Sequence, residues 1–138
     1  MRVKTFFDTN VLIYAVSKND PRSAVAEELL ATGGVLSVQI LNEFVSVARR
    51  KILMTWNDVR EAVEAFGVLC PAPLPITIEV HTVALQLAEK HGYNIYDALV
   101  VAAALEAGCS VLYSEDLRDG QTIGGQLAIR NPFVSSRG

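Results

Sequence analysis

The sequence predicts an α/β fold in which helices enclose a small, mostly parallel sheet. Three observations predict it. Short apolar segments alternate with longer ones of helical period along the whole chain. The short segments are apolar on both faces, as strands of a parallel sheet covered on both sides must be. Helical segments outnumber strands, which keeps the sheet small. The 138 residues suit a single domain, 1–138, large enough to bury one core.

Residues 3–7 read as a buried strand. Asp8-Thr9-Asn10 breaks it, and residues 11–15 resume as an apolar segment. Asp20-Pro21 starts a helix, with Asp as cap and Pro in the first turn, and Gly33-Gly34 ends it. Residues 35–38 read as a second strand. The next helix begins at Ser37 or just after it. Ile40, Leu41, Phe44, Val45, Val47 and Ala48 give it a wide apolar face, and Arg49-Arg50-Lys51 suits the negative end of its dipole. Thr55 with Asp58 resembles a capping box and opens a helix from about Trp56 to Leu69. Pro71, Pro73 and Pro75 then impose an extended connection. Thr77 caps a helix that runs to about His91 and stops at Gly92. Asn94-Ile95-Tyr96-Asp97 opens an alanine-rich helix that ends at Gly108. Residues 110–113 form a strand, 114–125 a polar loop, and 127–130 a last short strand before Pro132.

Charge and hydropathy narrow the function. With 12 basic and 15 acidic residues the net charge is −3. Such a chain does not hold nucleic acid by charge alone unless some of its carboxylates carry bound cations. The mean hydropathy of +0.30 is high for a soluble monomer. Yet the longest apolar run, residues 98–105, falls far short of the ~20 residues a bilayer helix needs, so no membrane role is expected. The surplus points to an oligomer or partner surface. Cys70 and Cys109 lack a short metal-type spacing and read as reduced, buried thiols. With no hydrophobic leader ahead of Asp8, a cytoplasmic location is expected.

In a parallel α/β sheet, ligands bind at the carboxyl ends of the strands. Asp8 follows the first strand and Asp116 follows residues 110–113. Asp97 sits in the first turn of a helix, and Glu43 lies in an otherwise apolar helix after the second strand. Singly, each has an ordinary explanation: a helix cap for Asp8, a favourable dipole position for Asp97, an Asx turn for Asp116, a solvent-facing position for Glu43. Together they are placed where one sheet edge could gather them.

Phe6-Phe7-Asp8-Thr9-Asn10-Val11-Leu12-Ile13-Tyr14 resembles the opening motif of the PIN-domain nucleases. Asn42-Glu43-Phe44, Tyr96-Asp97-Ala98-Leu99-Val100 and Tyr113-Ser114-Glu115-Asp116-Leu117 resemble its later motifs, in order and over essentially the whole chain. One position departs: Ser114 stands where many members have Thr, and it keeps the hydroxyl. A bare domain of this length is similar to the VapC toxins of type II toxin–antitoxin pairs. The resemblance implies a PIN-like three-layer α/β/α sandwich and a metal-dependent endoribonuclease that hydrolyses RNA with metal-activated water. Asp8, Glu43, Asp97 and Asp116 would be its catalytic and metal-binding residues. A cognate VapB-like antitoxin and a homodimer are implied as well.

The residues agree with such chemistry. Oxygen-only ligands select Mg²⁺ or Mn²⁺ over Zn²⁺. Thr9, Asn10 and Ser114 would hold the carboxylates or metal waters. With the four carboxylates set aside, the remaining acids no longer outnumber the bases, so a metal-filled protein need not repel RNA. Arg22, Arg49, Arg50, Lys51 and Arg118 are candidates for phosphate contacts. Tyr96 and Trp56 could stack on a base, though a core role is the expectation for both. Leu29, Leu30, Leu41 and Phe44 suggest an antitoxin groove between the helix at 21–31 and the helix carrying Glu43.

Three other readings compete. A haloacid-dehalogenase-type phosphatase would want a second Asp at Asn10 and a late lysine, whereas the last lysine is Lys90. A PIN-like module that only binds RNA or protein would be marked by a lost carboxylate. A PIN nuclease of RNA maturation would usually carry a further RNA-binding module.

Overall fold

The computed structural model describes residues 3–134. Its elements are β1 (Thr5–Phe7), α1 (Thr9–Val16), α2 (Ser23–Ala31), α3 (Val38–Arg50), α4 (Trp56–Leu69), α5 (Ile78–His91), α6 (Ile95–Glu106), β2 (Val111–Tyr113), β3 (Thr122–Ile123) and β4 (Leu127–Arg130). The sheet order is β1-β2-β4-β3. β1 pairs parallel with β2, β2 parallel with β4, and β3 antiparallel with β4. This is the small, mostly parallel sheet among helices that the sequence predicts, with one helix more than the five expected.

Capping follows the sequence closely. Ser37, Thr55, Thr77 and Asn94 each accept a hydrogen bond from a backbone N–H three residues on, which starts α3, α4, α5 and α6. Gly92 ends α5 in the left-handed conformation, at φ 73°.

Several expectations need correction. The apolar segment after Asp8 is helix α1, too short and too uniformly apolar to show a helical period. α2 begins at Ser23, because Asp20 first folds a turn in which its carboxylate accepts the Arg22 N–H. The second strand shrinks to single bridges, Val35 with Phe6 and Ser37 with Leu74, since Ser37 is already the cap of α3. The loop at 114–125 contains β3, which pairs back on β4. Gly34 is required where the chain passes β1. A Cβ there would stand 2.5 Å from the Phe7 ring and 2.9 Å from the Thr5 carbonyl.

The core joins Phe6, Phe7, Leu112 and Ile129 of the sheet to Leu12, Leu30, Phe44 and Val101 of the helices. Phe44 meets Phe66 edge to face at 5.0 Å, which ties α3 to α4. Of the four side chains expected to wall an antitoxin groove, Leu30 and Phe44 belong to the core and Leu29 and Leu41 pack partly buried against it.

Candidate active site

Parallel pairing places Phe7 beside Tyr113. The residues that leave β1 and β2, Asp8 and Ser114, therefore emerge as neighbours at the carboxyl end of the sheet. Asp8 is 5% exposed. Its Oδ1 accepts the Thr9 N–H at 2.7 Å, which caps α1, and its Oδ2 accepts the Ser114 hydroxyl at 2.7 Å. Burial pushes its pKa up to about 6. The two hydrogen bonds oppose that rise, and the charges of Asp116 and Glu43 add to it.

The other carboxylates gather around this one. Ser114 Oγ also accepts the N–H groups of Asp116 at 3.2 Å and Leu117 at 3.3 Å, shaping the turn that carries Asp116. Asn10, on the first turn of α1, donates from Nδ2 to Asp116 Oδ2 and accepts the Glu115 N–H, both at 3.3 Å. Thr9 Oγ1 donates to Glu43 Oε1 at 2.9 Å across from α3. Asn94 caps α6, which sets Asp97 in its first turn, and donates from Nδ2 to Asp97 Oδ2 at 2.9 Å. Desolvation first, then the charge of Asp116, raises the Asp97 pKa against the pull of Asn94.

Asp8, Glu43, Asp97 and Asp116 line one cleft of about 810 Å³, together with Thr9 and Asn10. Arg50, Lys51 and Tyr96 line it too. Among the described residues, no group of three or more acidic, histidine or cysteine side chains is close enough to form a ready-made metal cluster. Each carboxylate is tied to its own donor. The donor set still fits a hard divalent cation. The carboxylates offer oxygen ligands, and the burial and neighbouring charge that raise the pKa values of Asp8 and Asp97 are costs a bound cation would offset.

The five expected phosphate contacts divide. Arg50 and Lys51 lie on the cleft. Arg49 turns away, donating to the Met54 carbonyl at 2.8 Å and covering the Trp56 ring at 4.4 Å. Arg22 is held by Asp20, Tyr14 and Glu115 and is no free cation. Arg118 is exposed beyond Asp116 and does not line the cleft. Tyr96 and Trp56 are 63% and 53% exposed, not core as expected.

The PIN domain family profile matches residues 5–119, a span that includes all four carboxylates. The chain belongs to the PIN domain family. Comparison with curated protein sequences gives no significant match. Solved structures share the PIN fold. VapC20 of Mycobacterium tuberculosis, a sarcin–ricin loop cleaving toxin, is 21% identical over 82% of this chain and 90% of its own, with a TM-score of 0.65. A toxin–antitoxin complex from Klebsiella pneumoniae is 18% identical over 94% of this chain and 98% of the other, at 0.70. DNA-bound VapBC from Salmonella typhimurium is 20% identical over 95% and 99%, at 0.66. Sequence reading missed one feature of this PIN domain. Tyr14, Asp20 and Glu115 assemble with Arg22 beside the turn that carries Asp116. The only signal was Tyr14 and Glu115 lying inside the quoted motifs.

Proposed function

We propose that this PIN protein is a Mg²⁺- or Mn²⁺-dependent endoribonuclease and the toxin of a type II toxin–antitoxin pair. The observation that carries the reading is the meeting of Asp8, Glu43, Asp97 and Asp116 in one cleft at the carboxyl ends of β1 and β2. Asp8 and Asp97 are the principal metal ligands, and Glu43 and Asp116 complete the site directly or through water. A cation held there supplies hydroxide near neutral pH and neutralises charge on the phosphate and the leaving oxygen.

The chain's own groups do the rest. Ser114 and the Thr9 N–H hold Asp8 in a fixed rotamer, Thr9 Oγ1 steadies Glu43, and Asn10 steadies Asp116. Arg50 and Lys51 receive flanking phosphates, and exposed Tyr96 offers a face to an unstacked base. The partner is a VapB-like antitoxin, a reading supported by neighbours solved as toxin–antitoxin complexes. The toxin is a homodimer, a reading supported by exposed apolar side chains such as Leu53, Val68 and Ile78. Among the described residues, no helix is long and apolar enough to cross a membrane.

A cleavage assay on a mixed RNA pool tests the function. Cleavage is expected with Mg²⁺ or Mn²⁺, lost in excess EDTA and lost in Asp8→Asn. Undiminished cleavage by Asp8→Asn, or in chelator, overturns the assignment.

A further inference from the structure

Arg22 occupies an unusual position for a surface arginine. Its Nε and Nη2 grip the two Asp20 carboxylate oxygens at 3.0 and 2.9 Å. Its Nη1 reaches the Tyr14 hydroxyl at 2.7 Å and Glu115 Oε2 at 3.4 Å. The guanidinium also covers the Tyr14 ring, 3.8 Å from its centre. Most of its N–H donors are engaged, so little is left for a phosphate. Tyr14 completes the network by donating its hydroxyl to Glu115 Oε1. Phe133 packs edge to face on the other side of the Tyr14 ring at 4.9 Å.

Glu115 is the focus of this network, and it stands between Ser114 and Asp116. Ser114 itself is held closely, by its hydroxyl on Asp8 at 2.7 Å and its N–H on the Arg130 carbonyl at 3.0 Å, but the ties beyond it are longer. Asp116 receives 3.3 Å from Asn10, and the backbone N–H groups of Glu115, Asp116 and Leu117 make bonds of 3.2–3.3 Å. At Glu115 the Tyr14 hydroxyl ties the turn directly to α1 at 2.5 Å, and Arg22 adds a charged contact at 3.4 Å from the start of α2. Neither Arg22 nor Glu115 lines the cleft.

We propose that Arg22 and Glu115 are positioning residues, which with Tyr14 clamp the 114–117 turn and thereby aim the Asp116 carboxylate into the cleft. The proposal rests on the nuclease reading above and adds to it a set of residues that act only through Asp116. Asp20 preorganises Arg22, and Tyr14 and Arg22 together fix both Glu115 oxygens.

A double-mutant cycle on the full chain tests the clamp. In the wild-type background, Glu115→Ala and Arg22→Ala should each lower kcat on RNA by about 10- to 100-fold with KM little changed. Glu115→Ala should weaken Mn²⁺ binding, read by calorimetry without substrate, by a similar factor. In an Asp116→Asn background, Glu115→Ala should cause no further loss of kcat or of Mn²⁺ affinity. Amide hydrogen exchange at Asp116 and Leu117 should accelerate about tenfold in Arg22→Ala, with exchange in α5 unchanged.

Equal losses in both backgrounds would mean general destabilisation and overturn the proposal. A raised KM with a shallower salt dependence for Arg22→Ala would make Arg22 a phosphate contact and also overturn it. A wild type that neither cleaves RNA nor binds Mn²⁺ sinks the nuclease reading and, with it, the aim of Asp116. The exchange result still reports separately whether the clamp holds the turn. Unchanged exchange at Asp116 and Leu117 rejects the clamp whatever the activity.

Discussion

Asp8 joins two demands that oppose each other. As the cap of α1 it must accept a backbone N–H, and as a buried carboxylate among other acids it must carry charge where charge is costly. Its pKa of about 6 lies above the ordinary 3.8, so the folded state binds its proton more tightly than the unfolded chain. The penalty is therefore absent below about pH 4 and fully present above about pH 6, where the shift amounts to roughly 3 kcal/mol. Asp8→Asn keeps a good cap but cannot accept from both Thr9 N–H and Ser114, at a loss of about 1–2 kcal/mol. In chelator the variant should thus be the more stable protein at pH 8, by about 1–2 kcal/mol. Its advantage should vanish at pH 4. Urea unfolding at both values checks this. At the same scale, Lys51→Ala should weaken binding of single-stranded RNA and lower the salt slope by about 0.7. Arg49→Ala should leave the slope unchanged, because its side chain faces Met54 and Trp56.

At the scale of elements, residues 33–37 cross β1 with no room for a side chain at Gly34. Gly34→Ala would drive a methyl group into the Phe7 ring and the Thr5 carbonyl, and should destabilise the protein by about 1–3 kcal/mol in thermal or urea unfolding. Caps and breakers made the helices legible: Ser37, Thr55, Thr77, Asn94 and Gly92 all act locally, within one turn of their own position. What was illegible depends on distant chain. α1 is a single apolar stretch of 8 residues whose helical state is set by Asp8 and by packing on α2 and α3. β3 has two residues and exists only because β4 pairs with it. Asp8, Asp97 and Asp116 were legible from strand ends and a helix start, and Glu43 from its place inside an otherwise apolar helix. The Arg22–Glu115 contact was not, since the strand register that brings the two together is a property of the folded sheet.

For the whole molecule, the acidic balance of −3 and the surplus of exposed apolar side chains have separate outlets. The first is the proposed cation, the second the proposed partners. Mn²⁺ should raise the unfolding temperature of the wild type and not that of Asp8→Asn, whereas Zn²⁺ should restore activity poorly after chelation, because the cleft offers neither thiolate nor imidazole. Light scattering at tens of micromolar should give a dimer mass; a monomer there would count against the homodimer.

The pairing of β1 with β2 also sets a schedule. Ser114 lies 106 residues after the Asp8 carboxylate it binds. A nascent chain carries Asp8 and Glu43 out of the ribosome while the strand that must lie beside β1 is still unsynthesised. Any activity of the cleft can therefore begin only once residues 111–117 have been made and have left the ribosome. Loop closure over such a separation makes the site a late product of folding as well. An antitoxin made earlier could thus be waiting before the cleft first forms. A chain truncated ahead of Val111 should be inert even with three of the four acids present, and expression of such a fragment in a bacterial host should leave growth untouched.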